Sequence, residues 1–163
     1  MNLHQLPASL VLAAGLFALA GCASRASAPG GPPVQTEAVA GVQAFEAVCL
    51  KTAPSFGGAV EAAESFGIGR WIDSPMGRIG MTQDQRLGAQ IKPGIECVIT
   101  TPTQEGPAPA QQFGQAVARA TGGRVPGRFP VAIVLRGQPF IFHHDRDGGE
   151  AFLMLKSGAS GKP

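Results

Sequence analysis

Hydrophobic positions follow three regimes along the chain. The first is a nearly unbroken apolar run from Leu6 to Ala20, built mostly of Leu, Ala, Val, Gly and Phe. About fifteen residues is too short to span a hydrocarbon core, which needs about 20. The run fits the apolar region of a signal peptide closed by small residues at a cut site. Met1 to Gln5 contain no Lys or Arg, so the terminal amine and His4 supply any positive charge there. The second regime, Ala23 to Gln35, is Ala, Ser, Gly and Pro with a single Arg25. It reads as a flexible tether. The third begins at Thr36 and alternates apolar and polar positions with the periods of helices and strands.

Helical spacing runs from Glu37 to Ala53, with Thr36 as an N-cap. Ala38, Val42, Phe45 and Cys49 share one face of it, so Cys49 points inward. Pro54 ends this helix. A second, shorter helix is expected from Ser55, as its cap, to Phe66, with Phe56, Val60 and Ala63 inward and Gly67 as its stop. Strands are expected at Arg70-Trp71-Ile72, Arg78 to Met81, Leu87 to Ile91 and Ile95 to Thr101. Lys92-Pro93-Gly94 suits a type II turn between the last two, because Gly at the third position accepts a positive φ. Ile95, Cys97 and Ile99 alternate with Glu96, Val98 and Thr100, which puts Cys97 on the face that should meet the helices.

Thr101 to Pro109 is a Pro-rich loop. Ala110 to Ala120 reads as a third helix with Phe113, Ala116, Val117 and Ala120 on one side, stopped by Gly122-Gly123. Arg124 to Pro130 is a loop. A meander closes the chain: Val131 to Leu135 as a buried strand, a turn at Gly137-Gln138, Pro139 to His143, a turn at Asp145 to Gly149, and Ala151 to Leu155. The fold expected is α+β, a single domain of two N-terminal helices and one further helix packed on a mainly antiparallel sheet. The segments are 1–21 leader, 22–35 tether, 36–157 folded domain and 158–163 polar tail.

Leu19-Ala20-Gly21-Cys22, at the end of the apolar run, resembles the lipobox of bacterial lipoprotein precursors. The resemblance implies that the Cys22 thiol receives a diacylglyceryl group and that the mature protein starts there. Two or more acyl chains hold a protein stably at a membrane, at about 0.8 kcal/mol per buried methylene. Ala23, rather than Asp, after the cysteine implies sorting to the outer membrane, facing the periplasm. Three cysteines are present. With Cys22 taken by lipid, Cys49 and Cys97 are an even pair in an oxidising compartment, and a disulfide between them is expected. The folded segment also resembles small exported proteobacterial proteins of unknown function. That resemblance rests on Phe45-x-x-x-Cys49 in an early helix and Cys97 in a mid-chain strand, and it implies no activity.

The formal net charge is +2, from nine arginines and four lysines against eleven acids, and the basic residues are scattered. Nucleic-acid binders concentrate them on one stripe, so nucleic acid is not expected as a partner. The densest polar cluster is His143-His144-Asp145-Arg146-Asp147. His143, His144 and Asp145 are weak candidates for a divalent metal, but strand alternation sends His143 and His144 to opposite faces. A polar hairpin end is the favoured account, and no metal or other cofactor is expected. Asp145-x-Asp147-Gly148 misses the calcium-loop pattern at its fifth and sixth positions. No catalytic residue is identified: there is no nucleophile elbow, and a Cys–His site would need a reduced cysteine. Gly67-Ile68-Gly69 and Gly77 to Gly80 are glycine-dense beside Arg70 and Arg78, but strands rather than a helix follow, which disfavours a phosphate cradle. Arg119, Arg124 and Arg128 read as solvated charges.

These features favour a lipid-anchored cell-envelope accessory or interaction protein, held at the membrane through Cys22 and working on an envelope partner. The alternative is a periplasmic small-molecule or metal-binding module whose pocket would use Trp71, His143, His144 and Asp145. A hydrolase is the third reading.

Overall fold

Each helix buries one stripe and each strand one row, and the seven strands among the described residues share a single sheet whose buried rows meet those stripes. The computed structural model describes residues 34–102, 106–145 and 150–158. Cys22, the tether to residue 33, Arg146, Asp147 and residues 159–163 lie outside them.

The first helix, α1, spans Val34–Ala44 and continues as a π-helical stretch over Phe45–Leu50. In that stretch the Lys51 N–H reaches back five residues to the Glu46 carbonyl, 3.0 Å away. The helix therefore begins ahead of the expected boundary. Thr36 lies inside it rather than capping it, and Val34 and Gln35 belong to the helix instead of the tether. The inward stripe is as expected: Ala38, Val42, Phe45 and Cys49 are all buried.

After Pro54 the chain makes turns before α2, which is only Ala59–Glu64. The expected helix from Ser55 is thus halved. Phe56 has φ 56° and cannot extend a right-handed helix, and the Ser55 hydroxyl accepts the Gly57 N–H in a local turn. Phe56 is nevertheless buried, as is Ala63, and Gly67 stops the helix with its N–H on the Glu64 carbonyl.

The strands are β1 Gly69–Ser74, β2 Gly77–Met81, β3 Gly88–Lys92, β4 Glu96–Pro102, β5 Val131–Leu135, β6 Gln138–Asp145 and β7 Glu150–Ser157, with α3 at Ala108–Thr121. The sheet order is β1-β2-β3-β4-β7-β6-β5, with every neighbouring pair antiparallel. Two meanders, β1 to β4 and β5 to β7, join where β7 docks on β4, and α3 makes the crossover between them. The fold is α+β, a single domain.

The Pro93-Gly94 turn forms as expected, with Gly94 at φ 68° and the Ile95 N–H donating to the Lys92 carbonyl at 3.0 Å. Ile95 itself sits just before β4 and is exposed. The β5–β6 turn falls one residue earlier than expected. Leu135 pairs with Gln138, so Arg136 and Gly137 are the two loop residues, at φ 51° and 77°. Two consecutive positive φ values define the hairpin turn whose twist matches its strands. β5 is an edge strand and only half-buried, with Val134 61 % exposed. It is not the fully buried strand its apolar run implied.

The core lies between the helices and one sheet face, on which β4 supplies Cys97 and Ile99, β6 Phe140 and Phe142, and β7 Leu153 and Leu155. Phe113 of α3 is fully buried with Phe45 and Phe129 at ring-centroid distances of 5.0 and 4.7 Å. Ala116 and Val117 join it, while Ala120, expected inward, is exposed. At Gly41, α1 lies close against the sheet: a Cβ there would sit 2.6 Å from Thr101 Cγ2.

A disulfide joins Cys49 to Cys97, with the Cα atoms 5.5 Å apart and both residues fully buried. It ties the end of the first helix to β4, the central strand. This is the connection that the inward faces of both segments require.

Candidate functional site

The polar cluster of β6 is divided by the pleat of its strand. His144 stands on the helix-covered face with its ring 5.7 Å from Phe113 and 6.5 Å from Phe129. His143 and Asp145 stand on the other face, His143 Nε2 3.9 Å from Asp145 Oδ2. Strand alternation alone produces this division. Among the described residues no group of three His, Cys, Asp or Glu side chains is placed to hold a metal. Cys49 and Cys97 are consumed by their bridge, so neither is a thiol nucleophile.

Trp71 is distant from these residues. β1 and β6 are five strand spacings apart, about 24 Å. Trp71 lies over Gly80, where a Cβ would meet its ring at 2.7 Å, and the Arg78 guanidinium is 5.6 Å from the ring centroid. Arg78 also pairs with Asp73 at 3.2 Å. The indole Nε1 is buried without a hydrogen-bond partner. The structure therefore does not bring Trp71, His143, His144 and Asp145 to one pocket, because the sheet separates them laterally and the pleat separates the two histidines. Arg124 and Arg128 are exposed in the loop after α3, as expected of solvated charges.

The concavity that does form lies elsewhere. A cleft of about 630 Å³ opens between the first helix, the segment after α2, the C-terminal end of α3 and the β5–β6 turn. Its floor is apolar: Leu50 and Leu135 are buried, and Phe66 is half-buried. Its rim carries Lys51, Arg119 and Arg136 against one carboxylate, Glu46.

Local structure fixes two of these cations. Arg119 grips Glu46 Oε1 with Nη2 at 2.7 Å and Nε at 3.2 Å. That places a neutralised pair between the first helix and α3. Arg136 is carried by the tight β5–β6 turn. Its Nη1 donates to the Lys51 carbonyl at 2.9 Å and to the Ala53 carbonyl. Lys51 is the residue that closes the first helix, and Ala53 lies in the turn that follows it; the Lys51 carbonyl has no helical partner of its own. Arg136 thus caps a helix across 85 residues of sequence. Sequence reasoning singled out Arg119 among these residues, as a solvated charge, and passed over Lys51, Phe66 and Arg136.

A second surface is the sheet face away from the helices. Among the described residues no helix covers it. It carries Ile72 (68 % exposed), Ile141 (38 %), Met154 and Phe152 among Gln90, Thr100 and His143.

Comparison with protein-family models, curated proteins and solved structures finds no match for this chain.

Proposed function

We propose that this chain is a lipid-anchored accessory or interaction protein of the bacterial cell envelope, acylated on Cys22 and held on the periplasmic side of the outer membrane. The observation that carries the reading is Leu19-Ala20-Gly21-Cys22 together with the Cys49–Cys97 bridge. The bridge occupies the other two cysteines, so Cys22 is the thiol left for acylation, and stable disulfides belong to oxidising compartments. The tether gives the domain reach. Anchoring works by raising the local concentration of the domain near a membrane partner. Ile72 and Ile141 are exposed on the sheet face that no helix among the described residues covers, and this face is where the reading places a protein partner. No helix among the described residues is long and apolar enough to cross a membrane.

Mass spectrometry of the mature N-terminal peptide tests the anchor. Cys22 carrying a thioether-linked diacylglyceryl group, lost together with palmitate labelling in Cys22→Ser, is the expected result. An unmodified Cys22 in the mature protein refutes it. Crosslinking and co-purification test the adaptor role, with Cys22→Ser as control. A single envelope partner captured by the anchored form alone supports it, and equal capture by both forms refutes tethering as the mechanism.

A further inference from the structure

The cleft at the end of the first helix has a chemistry that the anchoring reading neither uses nor requires. We propose that it binds a small monoanion with an apolar body, such as an aryl or short acyl carboxylate.

Its size, about 630 Å³, falls in the range of small-ligand pockets, roughly 300–1,000 Å³. Leu50, Phe66 and Leu135 offer an apolar floor to the body of a ligand, and the charges at the rim select its head. Three cations face one carboxylate there, and Arg119 already uses that carboxylate. Lys51 and Arg136 are left as positive charge with no acidic side chain from the cleft wall beside them. A cationic ligand would meet two like charges and only a spent Glu46.

Arg136 is the anchor. Its bonds to the Lys51 and Ala53 carbonyls use Nη1 and hold the planar fork in place before any ligand arrives. Nε and Nη2 keep their hydrogens for an incoming carboxylate. A fork already immobilised loses less entropy on binding, which favours affinity and orientation together. Lys51 stands next to it as an exposed second cation.

Isothermal titration calorimetry of the full chain with 2-naphthoate tests the proposal, with 2-naphthamide as the neutral counterpart and acetate as the head without a body. 2-Naphthoate should bind at least tenfold more tightly than either control. Arg136→Gln should weaken naphthoate about tenfold or more, the loss expected of a charge-assisted hydrogen bond, and leave the amide unaffected. Lys51→Gln, at an exposed position, carries the same test at smaller amplitude if Arg136→Gln loses its fold. Glu46→Gln releases Arg119 and should tighten binding several-fold. Ala120→Trp, at an exposed position of the wall, should block the cleft and abolish the signal. The proposal is overturned by no binding at millimolar naphthoate, by equal affinity for the amide, by weaker binding in Glu46→Gln, or by full binding in Ala120→Trp.

Discussion

Opening the Cys49–Cys97 bridge is the perturbation whose cost follows most directly from the geometry. The bridge spans 48 residues and joins the end of the first helix to the central strand. In the chain-entropy model, closing a loop of that length removes enough freedom from the unfolded chain to stabilise the fold by about 4 kcal/mol at 25 °C. Both cysteines are fully buried, so replacing them with alanine also empties space beside the core. That adds about 1–2 kcal/mol of lost packing. The double variant Cys49→Ala/Cys97→Ala should therefore lose about 5–6 kcal/mol, against a total of about 5–15 kcal/mol for a domain of this kind. Reduced native protein should lose the loop term alone. Urea unfolding followed through Trp71, the single tryptophan, measures all three forms. The reduced chain and the variant should also unfold with a steeper denaturant dependence, because an unbridged unfolded state exposes more surface. A loss below about 1 kcal/mol in the reduced protein would refute the loop-closure account. It would mean that the unfolded chain keeps these segments together without the bond.

Other perturbations separate packing from surface charge. Phe113→Ala, at a fully buried ring packed on Phe45 and Phe129, should cost about 3–5 kcal/mol in urea unfolding. Gly41→Ala gains about 1 kcal/mol of helix propensity but drives a Cβ to 2.6 Å from Thr101 Cγ2. Overpacking costs about 1–3 kcal/mol, so the net effect should be destabilising and should be relieved in Gly41→Ala/Thr101→Ser, which removes that methyl. Glu46→Gln should change stability by about 1 kcal/mol or less, because its Arg119 partner is largely exposed. Asp84 accepts the Thr82 hydroxyl at 2.6 Å and the Arg86 N–H at 3.2 Å, and these bonds hold its carboxyl below the ordinary aspartate range. Being depressed in the folded state, it stabilises the β2–β3 connection above the unfolded aspartate pKa, and that stabilisation fades as pH falls through the folded value. NMR titration should find its midpoint below an unperturbed aspartate and raised in Thr82→Val.

The fold was readable where one local rule acts without competition. Residues Ala38, Val42, Phe45 and Cys49 at helical spacing, and Cys97 and Ile99 two apart in a strand, declare their buried faces, and the disulfide follows once those faces oppose. The errors cluster where a backbone state overrides periodicity. The stripe of Phe56, Val60 and Ala63 fits a helix, but Phe56 sits at positive φ and reaches the core from a turn. The π-helical stretch over Phe45–Leu50 preserves the inward positions of Phe45 and Cys49 while changing the hydrogen bonding, so side-chain pattern alone does not reveal it. Val131 to Leu135 is apolar along its whole length, a composition that reads as buried on both faces, yet it is an edge strand with one face on the core.

The site was less legible for a related reason, since density in sequence is not convergence in space. His143 and His144 are adjacent in the chain and are separated by the sheet itself. The cleft draws Glu46 and Lys51 from the first helix, Phe66 from beyond α2, Arg119 from α3 and Arg136 from the last hairpin. The α3 helix and the last hairpin are remote in sequence from the first helix and α2, and each cation viewed alone is an ordinary solvated charge. One signal was present: Arg136-Gly137 between two apolar runs. Placing the turn at Gly137-Gln138 leaves Arg136 between the strand and the turn, with no role assigned to it. Moved one residue earlier, the turn carries Arg136 at its first left-handed position, where the backbone swings the side chain toward the end of the first helix. The Lys51 and Ala53 carbonyls lie at and just beyond that end, and the hairpin supplies their donor. Stabilising the helix end and presenting a pre-set guanidinium to the cleft are therefore the same structural act. This is why one substitution at Arg136 should weaken both the packing of the helix end and the capture of an anion, whereas Lys51→Gln should touch only the second.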